Sequence, residues 1–122
     1  MGTDRRQILE YKGKRIVFHD YSDLAGDEFV RVIEEISLQA TADPAKRRLV
    51  LMNATNAIVD RPVMCAFREM TANASELVLK GAFYGLTGIQ NMFMAIISDC
   101  AKTPLKAFET REAALEWLVL GD

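Results

Sequence analysis

The sequence opens with two short runs in which apolar and polar residues alternate. Residues 8–11 (ILEY) and 15–19 (RIVFH) lie on either side of Lys12, Gly13 and Lys14. Alternation with a period of two is typical of a strand that buries one face, and a glycine between two such runs supplies the positive φ of a tight hairpin. The pattern predicts an antiparallel pair of strands, the second with one apolar face and one mixed face that includes His19.

Apolar residues then recur at helical spacing in two segments. The first runs from about residue 26 to 42 and ends before Asp43 and Pro44, because proline disfavours helix in the residue before it. The second begins near Asp60, with Pro62 in its first turn, where the missing N–H costs nothing. The predicted buried stripes are Phe29, Val32, Ile33, Ile36 and Ala40 in the first helix, and Val63, Ala66, Phe67 and Met70 in the second.

The segments between and after these helices predict further strands. Residues 49–52 (LVLM) are apolar on both sides, as in a central strand covered on two faces. Residues 77–79 and 81–84 form another strand, which breaks or starts at Lys80 and Gly81. A third helix is predicted over residues 88–101, then a strand over 105–108 and a last helix from 111 to about 120, which Trp117 anchors on the sheet.

The predicted order is therefore ββαβαβαβα, a single domain over residues 1–122. Helical crossovers that join parallel strands are right-handed and lie against the sheet. We expect an α/β fold with a small open mixed sheet of about five strands and about four helices.

Composition excludes several classes of protein. Of the 122 residues, 50% are hydrophobic and 26% charged, enough apolar surface for a buried core. The net charge of −2 creates no overall field that would attract nucleic acid or an anionic membrane, so we expect neither as a partner. The basic run Lys46, Arg47 and Arg48 is interpreted as a solvated turn that leads into a strand.

Cysteine use and hydropathy favour the cytoplasm. Cys65 and Cys100 lie in predicted helices, far apart in sequence, and are expected to be buried reduced thiols. The most hydrophobic stretch, residues 92–97, is too short to cross a bilayer, which takes roughly 20 residues. We therefore expect a soluble protein with no transmembrane segment.

Four segments in this order resemble the SpoIIAA-like branch of the STAS superfamily. They are residues 14–20 (KRIVFHD), 49–53 (LVLMN), 82–88 (AFYGLTG) and 107–118 (AFETREAALEWL). The resemblance runs from about Ile8 to Val119. It implies a role in signalling, binding or regulation rather than catalysis. The related CRAL-TRIO lipid-binding fold adds a lipid-like ligand to the alternatives.

One junction departs from the resemblance. Anti-sigma-factor antagonists of this superfamily carry an Asp-Ser-Ser-Gly stretch after the central strand, where a kinase phosphorylates a serine. Here residues 53–60 read NATNAIVD, without serine or glycine. Thr55 is the sole hydroxyl of this loop. It is interpreted as a turn threonine, with phosphorylation as the weaker alternative.

A glycine turn between a strand and a helix is the first candidate binding site. Thr87 and Gln90 have the spacing of a capping box, which is the favoured interpretation. In the alternative, Gly85, Thr87 and Gly88 leave backbone N–H groups open to an anion at the helix N-terminus. The segment has neither the lysine of a P-loop nor a dinucleotide fingerprint.

The residues that bear chemistry do not form a recognisable catalytic set. His19 and Asp20 are neighbours on a strand, so their side chains point to opposite faces. Asp20, Ser22 and Asp23 are better explained as turn and helix-cap groups. An enzyme would need a cleft that brings together Asp20, His19 or Tyr84. The single histidine and two distant cysteines give no metal-ligand spacing. We expect no enzymatic activity, cofactor or metal ion.

Methionines provide the last candidate surface. Met64, Met70, Met92 and Met94 could border a protein partner site, a homodimer interface or an apolar pocket between the second and third helices, because methionine makes adaptable contacts. Core filling is the favoured interpretation for each one separately. The sequence therefore leaves two functions open. One is a non-enzymatic regulatory or binding domain with a protein partner or small ligand, and the other is a carrier of a lipid or other apolar molecule.

Overall fold

The architecture comes from a computed structural model that describes residues 5–45, 47–74, 77–86 and 103–120. These residues form five strands and three helices. In chain order they are β1 (Arg6–Tyr11), β2 (Lys14–Asp20), α1 (Gly26–Ala42), β3 (Arg48–Asn53), α2 (Arg61–Ala74), β4 (Val78–Tyr84), β5 (Leu105–Phe108) and α3 (Arg111–Val119). The α/β prediction is confirmed, while the helix predicted over residues 88–101 lies outside the described residues.

The five strands form one mixed sheet in the order β1-β2-β3-β4-β5. β1 and β2 are antiparallel, and the remaining neighbours are parallel. The hairpin between β1 and β2 turns at Lys12, with φ of 51°, and Gly13, with φ of 81°. Two consecutive residues with positive φ are typical of a two-residue hairpin turn whose twist matches the flanking strands. The predicted hairpin is confirmed.

Each face of the sheet carries its own apolar cluster. Residues of β2, β3 and β4 that include Val17, Val50 and Phe83 pack against α1 and α2, and we call this side the α1/α2 face. The alternate residues, which include Leu51 and Ala82, pack against α3 on the α3 face. Because β3 has helices on both sides, five of its six residues are buried. This confirms the prediction of a central strand.

The register fixes which side chains lie beside one another across the sheet. Arg6 of β1 lies opposite His19 of β2, and His19 lies opposite Met52 of β3. Met52 in turn pairs with Phe83 of β4. One residue further along, Asp20, Asn53 and Tyr84 form the equivalent row on the α3 face, because side chains alternate along a strand.

The helices begin where the sequence predicts. α1 spans Gly26–Ala42 as expected, and its buried stripe contains four of the five predicted residues: Phe29, Val32, Ile33 and Ile36. α2 begins at Arg61, with Pro62 in its first turn, and the Asp60 carboxylate accepts the N–H of Val63 at 3.0 Å. At α3, the Thr110 hydroxyl accepts the N–H of Ala113 at 3.1 Å. These caps satisfy backbone donors that a helix start leaves free.

Two other expectations need adjustment. β4 is continuous from Val78 and neither breaks nor starts at Lys80. Its irregularity is a register shift, since Arg48 pairs with Val78 and Leu49 pairs with Lys80. Trp117 contacts the ring of Phe108, with centroids 5.6 Å apart, but lies half-buried at the rim of the α3 cluster.

The interpretation of the basic run as solvated is wrong for Arg48, which is 4% exposed. Its guanidinium donates to the backbone oxygens of Ala40, Asp43 and Ala45 at 2.8 to 2.9 Å. α1 has no basic residue in its last turn, and the carbonyl groups at a helix C-terminus need donors. Arg48 supplies them from β3.

The expectation of a buried thiol is also wrong for Cys65, which is exposed on α2. Val63 and Phe67 face the core, and Cys65 lies between them on the opposite side of the helix. Cys100 lies outside the described residues. Among the helices that the structure describes, none is both long and apolar enough to span a bilayer.

Replacing Arg48 with methionine tests its role as the cap of α1. We expect Arg48→Met to lower the free energy of unfolding by about 3 kcal/mol or more, because three carbonyl oxygens lose a charged donor. Arg47→Met is the matched control, since Arg47 is exposed and its loss should change stability by less than about 0.5 kcal/mol. Urea unfolding measures both, and equal effects would contradict the assignment.

Candidate functional site

A pocket lies between the α1/α2 face of the sheet and the two helices. Its cavity volume is about 70 Å³, and the wider concavity measures about 580 Å³ with open solvent included. Most of its wall is apolar and comes from neighbouring strands, with α1 and α2 contributing one side. The described lining residues are Arg6, Val17, His19, Ala40, Arg48, Val50, Met52, Met70, Thr71, Val78, Gly81, Thr103 and Leu105.

The polar part of the pocket is built around the cross-strand pair Arg6 and His19. The hairpin register places the two residues directly opposite each other, so both side chains project from the same face. Arg48, at the start of β3, is the third charged or titratable side chain in the lining. A largely apolar pocket therefore ends at two guanidinium groups and an imidazole.

His19 is 6% exposed and has one defined hydrogen-bond partner. Its Nδ1 lies 3.3 Å from the hydroxyl of Tyr21, which is fully buried. In the described part of the chain, the other acceptor near that hydroxyl is Sδ of Met70 at 4.0 Å, and a thioether accepts weakly. We therefore infer that the Tyr21 hydroxyl donates its hydrogen bond to Nδ1 of His19. The proton of the neutral imidazole is then on Nε2.

Nε2 of His19 is buried, and no described residue offers it a hydrogen-bond partner. Burial, with added repulsion from Arg6 and Arg48, lowers the pKa of His19 to about 3. The imidazole is thus neutral at physiological pH. Burial also raises the pKa of the Tyr21 phenol, so the hydroxyl keeps the proton that it donates.

The Arg6 side chain is equally constrained. A terminal nitrogen lies 2.8 Å from Oδ2 of Asp43, while its Nε is buried and meets no acceptor in the described part of the chain. The same Oδ2 also accepts a hydrogen bond from a terminal nitrogen of Arg15 at 2.9 Å, and Oδ1 accepts the N–H of Ala45. The bond from Arg6, then that from Ala45, holds the pKa of Asp43 well below its usual range.

This arrangement is suited to binding. Two buried donors and a surplus of positive charge adjoin an apolar wall, and pockets for small molecules combine these features. Over the residues described, no group of three or more histidine, cysteine, aspartate or glutamate side chains lies close enough to hold a metal ion.

The residues that were considered as catalytic candidates lie on opposite faces of the sheet. Asp20 and Tyr84 lie on the α3 face, whereas His19 lies on the other. The Asp20 carboxylate accepts the N–H and hydroxyl of Ser22 at 3.0 and 2.7 Å, which confirms its turn role. The expected helix cap is wrong, because α1 begins after Ala25 with no side-chain cap.

Two separately predicted residues lie in contact. Gly85 has φ of +87°, and a Cβ placed on it would lie 2.7 Å from the backbone nitrogen of Thr55 and would also collide with the Thr55 hydroxyl. The Thr55 hydroxyl donates to Oδ1 of Asn53 at 2.7 Å. Gly85 is thus explained by the close approach of the Thr55 loop.

The remaining predicted site residues divide into two groups. Met70 lines the pocket, and Met64 packs half-buried against the cluster on the same face. Thr87, Gly88, Met92 and Met94 lie outside the described residues, so the anion site and the rest of the methionine surface stay predictions.

Sequence reasoning did not identify the pairing of Arg6 with His19. The sequence nevertheless contains the information. In a hairpin with a two-residue turn at Lys12 and Gly13, the residue numbers of every opposed pair have the same sum, and this sum places Arg6 opposite His19. What it does not give is the burial of both side chains, which depends on α1 and on Asp43.

Comparing two glycines tests the contact between Gly85 and Thr55. Gly13 and Gly85 have φ of 81° and 87°, yet a Cβ on Gly13 would meet nothing within 4 Å. We expect Gly13→Ala to cost about 1 to 2 kcal/mol of stability through the backbone alone. Gly85→Ala should cost about 2 kcal/mol more, because Thr55 must move. Thermal unfolding measures both, and equal losses would argue against the contact.

The buried neutral state of His19 predicts a pH dependence of stability. The unfolded histidine binds a proton below about pH 6.5, while the folded one does so only near pH 3. Stability is therefore fully present above pH 6.5 and falls as the pH is lowered, by about 2 kcal/mol between pH 7 and pH 5.

His19→Leu should abolish this slope between pH 7 and pH 5, because the chain contains a single histidine. Urea titrations at each pH measure it. The same slope in the variant would show that another group is responsible.

Comparisons with known proteins identify the fold. The sequence matches no family model and no curated protein. Among solved structures it is similar to an uncharacterised protein of the DUF3478 family with a SpoIIAA-like fold, from Shewanella loihica PV-4. The TM-score is 0.73, and the match covers 93% of this chain and 91% of that chain at 14% sequence identity. The fold of this protein is therefore the STAS/SpoIIAA-like fold that its sequence resembles.

Proposed function

We propose that this protein is a non-enzymatic, STAS-like binding domain that holds a small, largely apolar ligand in the pocket between the sheet and the α1/α2 layer. The proposal takes the second of the two functions left open by the sequence. The observation that carries it is the pocket itself, which joins an apolar wall to buried donors without partners among the described residues.

The lining supports this function. Seven of the described lining side chains are aliphatic or methionine, namely Val17, Ala40, Val50, Met52, Met70, Val78 and Leu105. Burial of apolar ligand surface against such a wall provides the main binding free energy.

The absence of catalysis is also part of the proposal. A general base near neutral pH needs a pKa close to the working pH, and His19 is far from it at about 3. Asp20 and Tyr84 lie on the opposite face of the sheet, so they do not complete a catalytic set with His19. The exposed thiol of Cys65 fits a reducing compartment, which supports the proposed cytoplasmic location.

Native mass spectrometry of freshly purified protein, without delipidation, tests the proposal. We expect an additional small-molecule mass that is lost on denaturation. A mass twice that of the chain would instead support the homodimer that the sequence left open. The ligand proposal fails if the protein carries no additional mass and acquires none after incubation with a mixed extract of cellular lipids.

A matched pair of alanines assigns any retained molecule to the pocket. Ala40 lines the pocket from α1, whereas Ala42 is exposed two residues further on. We expect Ala40→Leu to lower retention about tenfold, because the added carbons occupy ligand volume. Ala42→Leu should retain the molecule as the wild type does. Equal retention by both variants would locate the ligand elsewhere.

A further inference from the structure

The geometry points to a ligand that ends in a carboxylate, received by the Nε2–H of His19 and the Nε–H of Arg6 at the β1–β2 end of the pocket. This inference rests on the proposed function and names the chemical class of its ligand. It starts from two nitrogen atoms that hydrogen bonds within the described protein leave unused.

The first step concerns the nitrogen atoms of His19 and Arg6 that have no hydrogen-bond partner among the described residues. The Tyr21 hydroxyl occupies Nδ1 of His19, and Asp43 occupies a terminal nitrogen of Arg6. His19 Nε2 and Arg6 Nε are then the buried nitrogens of this pair without a described partner. Both are donors under the assigned tautomer. A buried donor left unpaired is costly, so the fitting ligand group accepts hydrogen bonds and donates none.

The second step is position. Arg6 and His19 are directly opposed across the β1–β2 ladder, and opposed residues have Cβ atoms about 5 Å apart. Two donors that start from such neighbouring positions can serve the two oxygens of one carboxylate. An alcohol offers one oxygen and adds a donor that finds no acceptor on this pair.

The third step is charge. Both oxygens of Asp43 are engaged, Oδ2 by Arg6 and Arg15 and Oδ1 by the backbone of Ala45. The hydrogen bonds described for Arg48 all go to backbone oxygens, which carry no full charge. Among the described residues, the Asp43 carboxylate therefore stands against two guanidinium groups of the pocket lining, those of Arg6 and Arg48, and a ligand anion would reduce the surplus. Neutral His19 adds a donor without adding charge.

The rest of the ligand is apolar. From the Arg6–His19 end, the pocket continues along the row of Val17, Val50, Gly81 and Leu105, which the register aligns on the same face. This row has no charged side chain. An unbranched aliphatic acid matches both parts of the pocket.

Calorimetric titration with decanoate and decanol tests the inference, because the two probes share a chain and differ in the head group. We expect the wild type to bind decanoate at least about tenfold more tightly than decanol. His19→Leu and Arg6→Met should each weaken decanoate about tenfold and change decanol little.

Arg15→Met is the matched control. Arg15 bonds the same Asp43 oxygen as Arg6, but it is 42% exposed and does not line this pocket. It should leave both affinities unchanged. If Arg6→Met does not fold, Arg6→Lys keeps a cation for Asp43 and removes the Nε donor, so it should weaken decanoate alone.

The outcomes separate the two proposals. Equal affinity for decanoate and decanol in the wild type would overturn the carboxylate inference and leave the binding function standing. No binding of either probe would overturn both. Decanoate binding that falls equally in Arg6→Met and Arg15→Met would show a general effect of charge, which also overturns the assignment to Arg6 and His19.

Discussion

The polar cluster formed by Arg6, Asp43 and Arg48 is the constraint on which the rest of the structure depends. Asp43 follows α1 directly and binds Arg6 of β1, while Arg48 of β3 caps the last carbonyl groups of α1. β1 therefore meets the end of α1 and the start of β3, which lie 37 residues and more further along the chain, at one point. Burying this much charge is favourable only when every group is well placed, because the desolvation of each ion is costly.

The same cluster gives the pocket its character. Because Asp43 holds Arg6 near the sheet, the Nε atom is kept out of solvent and beside His19. Burial of the ring, with added repulsion from the nearby guanidinium groups, lowers the pKa of His19 and keeps it neutral, and the Tyr21 hydroxyl fixes its tautomer. Stability and the proposed recognition of a ligand thus share residues, because the groups that fix the end of α1 also place two donors beside an apolar wall.

The edge of the sheet where β3 ends has a different chemistry from the phosphorylated junction of anti-sigma-factor antagonists. Thr55 is exposed, yet its N–H and hydroxyl both bond the Asn53 side chain, and Gly85 packs against it. Backbone bonds from Asp23 to Thr55 and from Ala54 to Tyr84 tie this loop to its neighbours. The loop is held by hydrogen bonds and by its packing against Gly85.

The sequence by itself determined the hairpin, the central strand, the start of α2 and the strand and helix that close the chain. Each depends on signals within a few residues, such as the turn at Lys12 and Gly13, the period of apolar positions and the cap at Asp60. Only the tertiary structure decided that Arg48 is buried, that Cys65 is exposed and that Thr55 and Gly85 touch. It also decided that the side chains of His19 and Arg6 are buried in a pocket. The reason is that burial depends on how whole elements pack, and partners such as Arg6 and Asp43, 37 residues apart, or Thr55 and Gly85 meet only when the sheet and helices assemble.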